Sequence, residues 1–171
     1  MTVTVVVMGP SGVGKSVVAA ELITRTGWAF VEGDDLHTDA NRAKMAAGHP
    51  LTDDDRWPWL RRIAEWIGVQ EAAGLSAVVT CSALRHVYRE LLCTDHPTVW
   101  FAHLTAPTEE IADRIGHRHG HYMPAALLDS QLATLEPLTA DEPGSAIDAT
   151  GTPDEIAERL LAQLPQPAAD H

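Results

Sequence analysis

The sequence carries its clearest structural signal near its beginning, in the run Gly9-Pro10-Ser11-Gly12-Val13-Gly14-Lys15-Ser16. The run matches the pattern G-x-x-x-x-G-K-S/T at every fixed position, and it joins an apolar segment ending at Met8 to a helical pattern. Glycines allow backbone N–H groups to turn inward around an anion, and the positive end of the following helix points at that anion. In this pattern the lysine reaches the β- and γ-phosphates of a nucleotide and the serine hydroxyl binds Mg²⁺. The alternative, a glycine-rich turn without a ligand, accounts less well for the flanking strand and helix.

Apolar, β-branched runs alternate with helical patterns along the rest of the chain. This alternation predicts an α/β fold of three layers, in which helices cover both faces of a parallel sheet. We expect one domain over residues 1–165 and a tail over residues 166–171 that frays, because no repeat or linker interrupts the pattern. Ligands of such sheets bind beyond the carboxyl ends of the strands. The predicted strands are Val3–Met8, Trp28–Val31, Ser76–Cys81, Val99–Thr105 and Ala146–Ala149, and the predicted helices are Val17–Thr26, Thr38–Ala47, Asp54–Ala73, Ala83–Cys93, Thr108–Gly116, Pro124–Leu135 and Pro153–Leu164.

Composition argues against several classes of partner. A formal net charge of −12 disfavours nucleic acids and anionic membranes, which select for basic surfaces. No apolar run reaches membrane-spanning length, and the apolar start of the chain lacks the basic region of a signal peptide, so a cytoplasmic location is expected. The two cysteines, Cys81 and Cys93, lack metal-binding spacing and are expected to be free thiols.

The glycine loop indicates a nucleotide user without specifying the reaction. A GTPase would carry an Asn-Lys-x-Asp segment for guanine, and the sequence has none. A large ATPase would be longer than 171 residues. A short chain with this loop near its start is typical of a kinase that acts on a small molecule.

The segment after the second predicted strand supplies candidates for the acceptor side of such a reaction. It contains Glu32, Asp34, Asp35 and His37. Phosphoryl transfer needs an aligned hydroxyl and a group that accepts its proton, and Asp34 is the predicted acceptor. Glu32 could order water around Mg²⁺. The alternative, that these acids only cap the next helix, is favoured for Asp35.

A second polar cluster follows at Asp53-Asp54-Asp55-Arg56. The cluster could be a helix cap with salt bridges, for which Asp53 or Asp54 would be the N-cap residue. Arg56 could instead hold a substrate carboxylate through two hydrogen bonds, and Trp59 could form a wall of the same pocket.

These segments together resemble the gluconokinase family. The resemblance lies in Gly33-Asp34-Asp35-Leu36-His37, in Asn41 to Leu60 with its Lys44-Met45, Pro50-Leu51 and Pro58-Trp59-Leu60 elements, in Cys81 to Arg89, and in Gly120 to Leu138. It implies a nucleoside-monophosphate-kinase-like fold with a five-stranded parallel sheet, and ATP, Mg²⁺ and D-gluconate as reactants. It also implies 6-phospho-D-gluconate as product and a homodimer. Many relatives have Asp where this chain has Glu32, so the arrangement of water around Mg²⁺ is expected to differ.

Two further segments receive predicted roles. Ser82 and Arg85 follow the third predicted strand and are expected to contact the acid substrate, whereas Arg89, which would share a helix face with Arg85, is expected to be structural. Cys81 ends an apolar strand and is read as a small hydrophobic residue and not as a nucleophile. Residues 115–124 are expected to form a lid that closes over the phosphates. Arg118 has the main role in this lid and Arg114 a lesser one, while the alternating His117, His119 and His121 are less well explained as a metal site.

The predicted site is therefore divided among four roles, with a substrate-binding segment over about residues 33–62. The catalytic residues are Lys15, Asp34 and Arg118. The nucleotide-binding residues are Gly9, Ser11, Gly12, Val13, Gly14, Lys15, Ser16, Val17, Arg114, Arg118 and Thr152. The substrate-binding residues are Asp34, His37, Lys44, Arg56, Trp59, Ser82, Arg85 and His121, and the metal residues are Ser16 and, through water, Glu32.

Three functions remain open on these residues. The first is phosphorylation of gluconate. The second is phosphorylation of another small hydroxy acid such as shikimate, although shikimate kinases lack the Lys-Met to Pro-Trp-Leu stretch. The third is a nucleotide-binding regulator without catalysis, which the intact Lys15, Ser16, Asp34 and Arg118 disfavour.

Overall fold

The computed structural model describes residues 2–116 and 125–165. Within them the chain forms five strands, seven α-helices and one 3₁₀-helix in alternating order. The strands are β1 Thr4–Met8, β2 Ala29–Glu32, β3 Ala77–Thr80, β4 Val99–Thr105 and β5 Gly144–Asp148. The helices are α1 Lys15–Thr26, the 3₁₀-helix Gly33–Leu36, α2 Asp39–Ala46, α3 Asp53–Ala72, α4 His86–Cys93, α5 Thr108–Gly116, α6 Ala125–Thr134 and α7 Pro153–Gln163.

The sheet is parallel and has the strand order β2-β3-β1-β4-β5. β3 lies between β1 and β2, and Val79 of β3 is opposite Val6 of β1 and Val31 of β2. The carboxyl ends of these three strands therefore meet at one edge of the sheet, where the chain leaves β1 into the glycine loop.

The core lies on both faces of the sheet, as the alternation of strands and helices predicts. Successive side chains of a strand point to opposite faces. Val5 and Val7 accordingly pack in a cluster with residues of α1 and α7, whereas Val6 and Met8 pack with residues of α3 and α4. All five β1 side chains are fully buried, so the glycine loop follows directly from a strand in the core.

Two helix starts differ from the prediction for reasons that the structure shows. The N-cap of α3 is Thr52, not Asp53 or Asp54, because a capping box joins the Thr52 hydroxyl to the backbone of Asp55 and the Asp55 carboxylate to the backbone of Thr52. α4 begins at His86 instead of Ala83, since Ala83 has a left-handed φ of 46° and Arg85 is extended as the N-cap.

No helix in residues 2–116 and 125–165 combines the length and the apolar character that crossing a membrane requires.

Candidate active site

The glycine loop has the backbone of an anion cradle. Gly9 and Gly14 have φ values of 142° and 105°, which side chains rarely allow. A Cβ added at Gly9 would lie 3.0 Å from Val13 Cγ1 and 3.1 Å from the backbone oxygen of Leu104, so space as well as conformation requires glycine there. The Lys15 ammonium lies over the loop and donates a hydrogen bond to the backbone oxygen of Gly9 at 2.8 Å.

Two side chains from distant segments hold this loop. Gln131 of α6 accepts a hydrogen bond from the Ser11 backbone N–H at 2.7 Å and donates to the Ser11 hydroxyl at 3.3 Å. Arg114 donates to the backbone oxygens of Val13 at 2.7 Å and Ala149 at 2.6 Å. Gln131 lies in the stretch that resembles the gluconokinase family, but its sequence position alone indicates no contact with the loop.

The predicted acceptor segment lies beside the loop, at the end of β2. Gly33 is buried under β3, where its N–H donates to the Thr80 hydroxyl at 3.2 Å and its carbonyl accepts from the Trp59 indole at 2.7 Å. The Thr80 hydroxyl in turn donates to the Glu32 carboxylate. Asp34 follows this fixed residue within the 3₁₀-helix, and its side chain is 85% exposed, so its carboxylate is accessible to a substrate.

His37 lies beneath Asp34 in a buried, stacked arrangement. Its ring stacks on Trp59 with centroids 4.1 Å apart, and its Nδ1 lies 3.3 Å from the side-chain amide nitrogen of Asn41. Because that amide nitrogen can only donate, Nδ1 is the acceptor and Nε2 carries the proton of the neutral ring. Nε2 lies 3.9 Å from an Asp34 carboxylate oxygen. Burial lowers the pKa of His37, against the opposing effect of the Asp34 charge.

The prediction that Asp35 caps the next helix is wrong. Asp35 belongs to the 3₁₀-helix, and the N-cap of α2 is Thr38, whose hydroxyl accepts from the Asn41 N–H at 3.1 Å.

A second polar group surrounds an open cavity of about 480 Å³ between the starts of α3 and α4. Arg56 and Arg85 both lie over the Tyr88 ring, with their guanidinium carbons 5.4 and 5.7 Å from its centroid. Arg85 donates to the Asp53 carboxylate, and Arg56 donates to the Tyr88 hydroxyl at 3.0 Å. Lys44, which was predicted to contact substrate, pairs with the Asp55 carboxylate of the capping box at 2.6 Å.

Cys81 links the loop with the acceptor segment. The thiol is buried at the end of β3, as the hydrophobic interpretation predicts, and burial raises its pKa to about 12. The residues on either side of Cys81 contact both segments: the Thr80 hydroxyl accepts from the Gly33 N–H at 3.2 Å, and the Ser82 backbone oxygen accepts from the Gly9 N–H at 3.2 Å. Asn41 joins this edge to the start of α3, because its side-chain amide contacts His37 and donates to the backbone oxygen of Asp55, the residue before Arg56, at 2.8 Å.

The other predicted residues have the following positions. Ser82 accepts a hydrogen bond from the Gly9 N–H through its backbone oxygen at 3.2 Å, and Thr152 caps α7 by accepting from the Glu155 N–H at 3.2 Å. Arg89 is 1% exposed and bonds to the Ala83 carbonyl at 2.8 Å, as expected for a structural residue, but it does not share a helix face with Arg85. Gly12 and Val13 are buried in the loop, whereas Ser16 and Val17 are exposed in the first turn of α1. Arg118 and His121, with His117 and His119, lie outside the described residues.

The residues at this edge suit a magnesium-bound nucleotide. The glycine loop and the amino end of α1 offer backbone N–H groups for phosphate. Ser16, Glu32 and Asp34 offer only oxygen atoms, which Mg²⁺ prefers, and Mg²⁺ is commonly held by one or two protein groups together with water and phosphate. Within residues 2–116 and 125–165 no three His, Cys, Asp or Glu side chains are grouped so that they could hold a metal ion.

The fold and the site define a class of protein. A parallel sheet with this strand order, a phosphate loop after β1 and an acidic segment after β2 are the features of a P-loop kinase of small molecules. A family model described as an AAA domain matches residues 4–138.

Comparison with known proteins specifies the family. The gluconokinase of Gluconobacter oxydans (strain 621H) is 51% identical over 156 residues, which cover 91% of this chain and 88% of that relative. A sugar kinase from Janibacter sp. HTCC2649 has a TM-score of 0.89 at 49% identity, over 95% of this chain and 94% of its own. A gluconokinase from Sinorhizobium meliloti 1021 has a TM-score of 0.84 at 42% identity, over 94% and 90% of the two chains. The chain belongs to the gluconokinase family.

Proposed function

We propose that this chain transfers the γ-phosphoryl group of ATP to the terminal hydroxyl of D-gluconate and so forms 6-phospho-D-gluconate. The observation that carries the proposal is a series of charged groups at one edge of the sheet: Lys15 over the glycine loop, the exposed Asp34 after β2, and Arg56 and Arg85 around the cavity. A cation beside a phosphate loop, an exposed carboxylate and a pair of guanidinium groups match the three chemical parts of the reaction. These parts are the phosphate, the hydroxyl and the carboxylate.

Asp34 is the proposed proton acceptor. Its carboxylate is exposed, while the preceding Gly33 is held by Thr80 and Trp59. Nε2 of His37 lies 3.9 Å from the same carboxylate. An accessible carboxylate on a backbone fixed in this way can accept the hydroxyl proton late in the transfer.

Lys15, Arg114 and Arg118 are proposed to act on the phosphate side. Lys15 donates to the Gly9 carbonyl and so lies over the loop, and Arg114 of α5 donates to the Val13 carbonyl of the same loop. Ser16 and, through water, Glu32 would hold Mg²⁺, which when bound neutralises charge on the phosphates. The role of Arg118 in a lid over the phosphates is proposed from the sequence alone.

A panel of sugar acids tests the proposal directly. ADP release is measured with gluconate, shikimate and related hydroxy acids at equal concentrations. Turnover on gluconate alone supports this function, and turnover on another acid supports the second candidate. No turnover on any acid, with ATP still bound, would leave only the nucleotide-binding regulator.

A matched pair of variants tests the role of Asp34. Asp34→Ala should lower turnover by about a hundredfold or more, the typical contribution of a positioned proton acceptor. Asp35→Ala removes a neighbouring exposed carboxylate and should leave turnover nearly unchanged. Equal rates for the two variants would remove Asp34 from the mechanism.

Arg56→Ala tests the carboxylate contact. It should mainly raise the KM for gluconate and change kcat little, because a contact present throughout the reaction contributes to binding more than to rate. An unchanged KM would defeat the proposed role of Arg56.

We further propose a cytoplasmic homodimer that binds neither nucleic acid nor membrane. The net charge of −12 supports the absence of those partners, and the family resemblance supports the dimer. Light scattering during size-exclusion chromatography measures the oligomeric state, and cell fractionation measures the location.

A further inference from the structure

Asp53 contacts the arginine cluster, which consists of Arg56 and Arg85 over the Tyr88 ring. One oxygen of its carboxylate accepts from Arg85, and the other accepts from the Tyr88 hydroxyl. Arg56 Nη1 lies 3.6 Å from this second oxygen and donates to the same Tyr88 hydroxyl. The groups that would bind a carboxylate in this cavity are therefore already in contact with an internal one.

The charges of the cluster are balanced before any substrate arrives. Arg56 and Arg85 contribute two positive charges, and Asp53 and Glu136 contribute two negative charges, with Glu136 Oε1 at 3.5 Å from Arg85 Nε. The cluster is also open to water, because the side chains of Asp53 and Arg85 are 40% and 38% exposed. A substrate carboxylate that enters this cavity meets no net positive charge and must share guanidinium donors with Asp53.

We propose that Asp53 is a specificity-determining residue that competes with the carboxylate of the substrate for Arg56 and Arg85. This inference rests on the proposed function, since it takes gluconate as the acid that enters the cavity. The competing carboxylate weakens binding of the acid and equally weakens binding of the phosphorylated product, which carries the same carboxylate. Asp53 thus promotes product release and disfavours acids with a second negative charge near the first.

Asp53→Asn tests the competition by removing the charge while keeping nearly the same shape. The KM for gluconate and the inhibition constant of the product should both fall about three- to fivefold, the worth of a partly exposed ion pair converted to affinity. Asp54→Asn is the matched control, because it removes an exposed charge from the same first turn of α3. This control should change neither constant.

A double variant shows whether the effect passes through Arg85. In an Arg85→Gln background, Asp53→Asn should lower the KM by a smaller factor, since only Arg56, 3.6 Å from the Asp53 carboxylate, then remains for the two carboxylates to share. Thermal unfolding of each variant verifies that it folds, and Asp53→Ser supplies the same charge removal if the asparagine variant does not.

The outcomes distinguish failure of the proposed function from failure of the proposed competition. If the wild-type protein does not turn over gluconate, the proposed function fails. If it does, and Asp53→Asn raises the KM or leaves it equal to that of Asp54→Asn, the competition is wrong and Asp53 only supports the arginine residues.

Discussion

Substitution of Gly33 by alanine should damage both the stability and the activity of this protein. A Cβ at this position would lie 2.0 Å from the backbone oxygen of Thr80 and 3.4 Å from Ile63 Cδ1. The first of these atoms belongs to β3 and cannot rotate away, so β2 and β3 would have to separate. Overpacking of this kind costs about 1 to 3 kcal/mol, and a backbone clash favours the upper end.

Activity should fall as well, because Gly33 positions Asp34. The backbone groups of Gly33 bond to Thr80 and to Trp59, and separation of the strands disturbs both bonds. A displacement of about 1 Å at a reacting group can lower the rate by about a hundredfold, so turnover on gluconate should fall by about tenfold or more.

Gly74→Ala is the matched control for this experiment. Gly74 has a φ of 69° and no atom within 4 Å of an added Cβ, and it precedes β3 at the opposite edge of the sheet. Its substitution should cost about 1 kcal/mol of conformational strain and leave turnover unchanged. Urea unfolding and initial rates measure both effects. Wild-type turnover in Gly33→Ala, with a loss of stability no larger than that in Gly74→Ala, would refute the steric argument.

Three other predictions concern the capping box, the glycine loop and the buried histidines. Thr52→Ala should lower the free energy of unfolding by about 1 kcal/mol, as measured in urea, and an unchanged midpoint would contradict the cap at α3. Gln131→Ala should weaken ATP binding about threefold in calorimetry, because the Ser11 N–H loses the acceptor that fixes the loop, and an equal affinity would show that the loop needs no such support. Burial lowers the pKa of His37 and of His103 below the ordinary value of 6.5, so the unfolded chain binds more protons below that pH. Their contribution should leave stability unchanged above about pH 6.5 and reduce it as the pH falls toward their folded pKa values, with a smaller loss in His103→Leu when unfolding is followed between pH 8 and 5.

The sequence predicts the secondary structure well where the signal is local. β4 and α5 begin and end at the predicted residues, since a buried apolar run and a short amphipathic helix are each specified by their own side chains. The glycine loop and the acidic segment after β2 are equally local, and parallel topology places both at one edge of the sheet.

Tertiary contacts decide the features that the sequence does not predict. The left-handed Ala83 delays the start of α4, and its carbonyl is held by Arg89. The partner of Ser11 is Gln131, which is 120 positions away, and the partner of Arg85 is Asp53, 32 positions away. No periodicity or spacing relates such pairs, because only the folded chain brings them together.

Chemical modification of the buried thiol at the end of β3 can report local opening of the sheet edge. Cys81 is buried and its thiolate is disfavoured, whereas Cys93 lies near the surface at the end of α4. A thiol reagent added to the folded protein should therefore modify Cys93 first, after which modification of Cys81 proceeds only as fast as the sheet edge opens. The rate of that second modification can be followed by mass spectrometry with and without nucleotide. The difference between the two rates measures how much bound nucleotide slows opening of the sheet edge near Cys81, and no engineered label is needed.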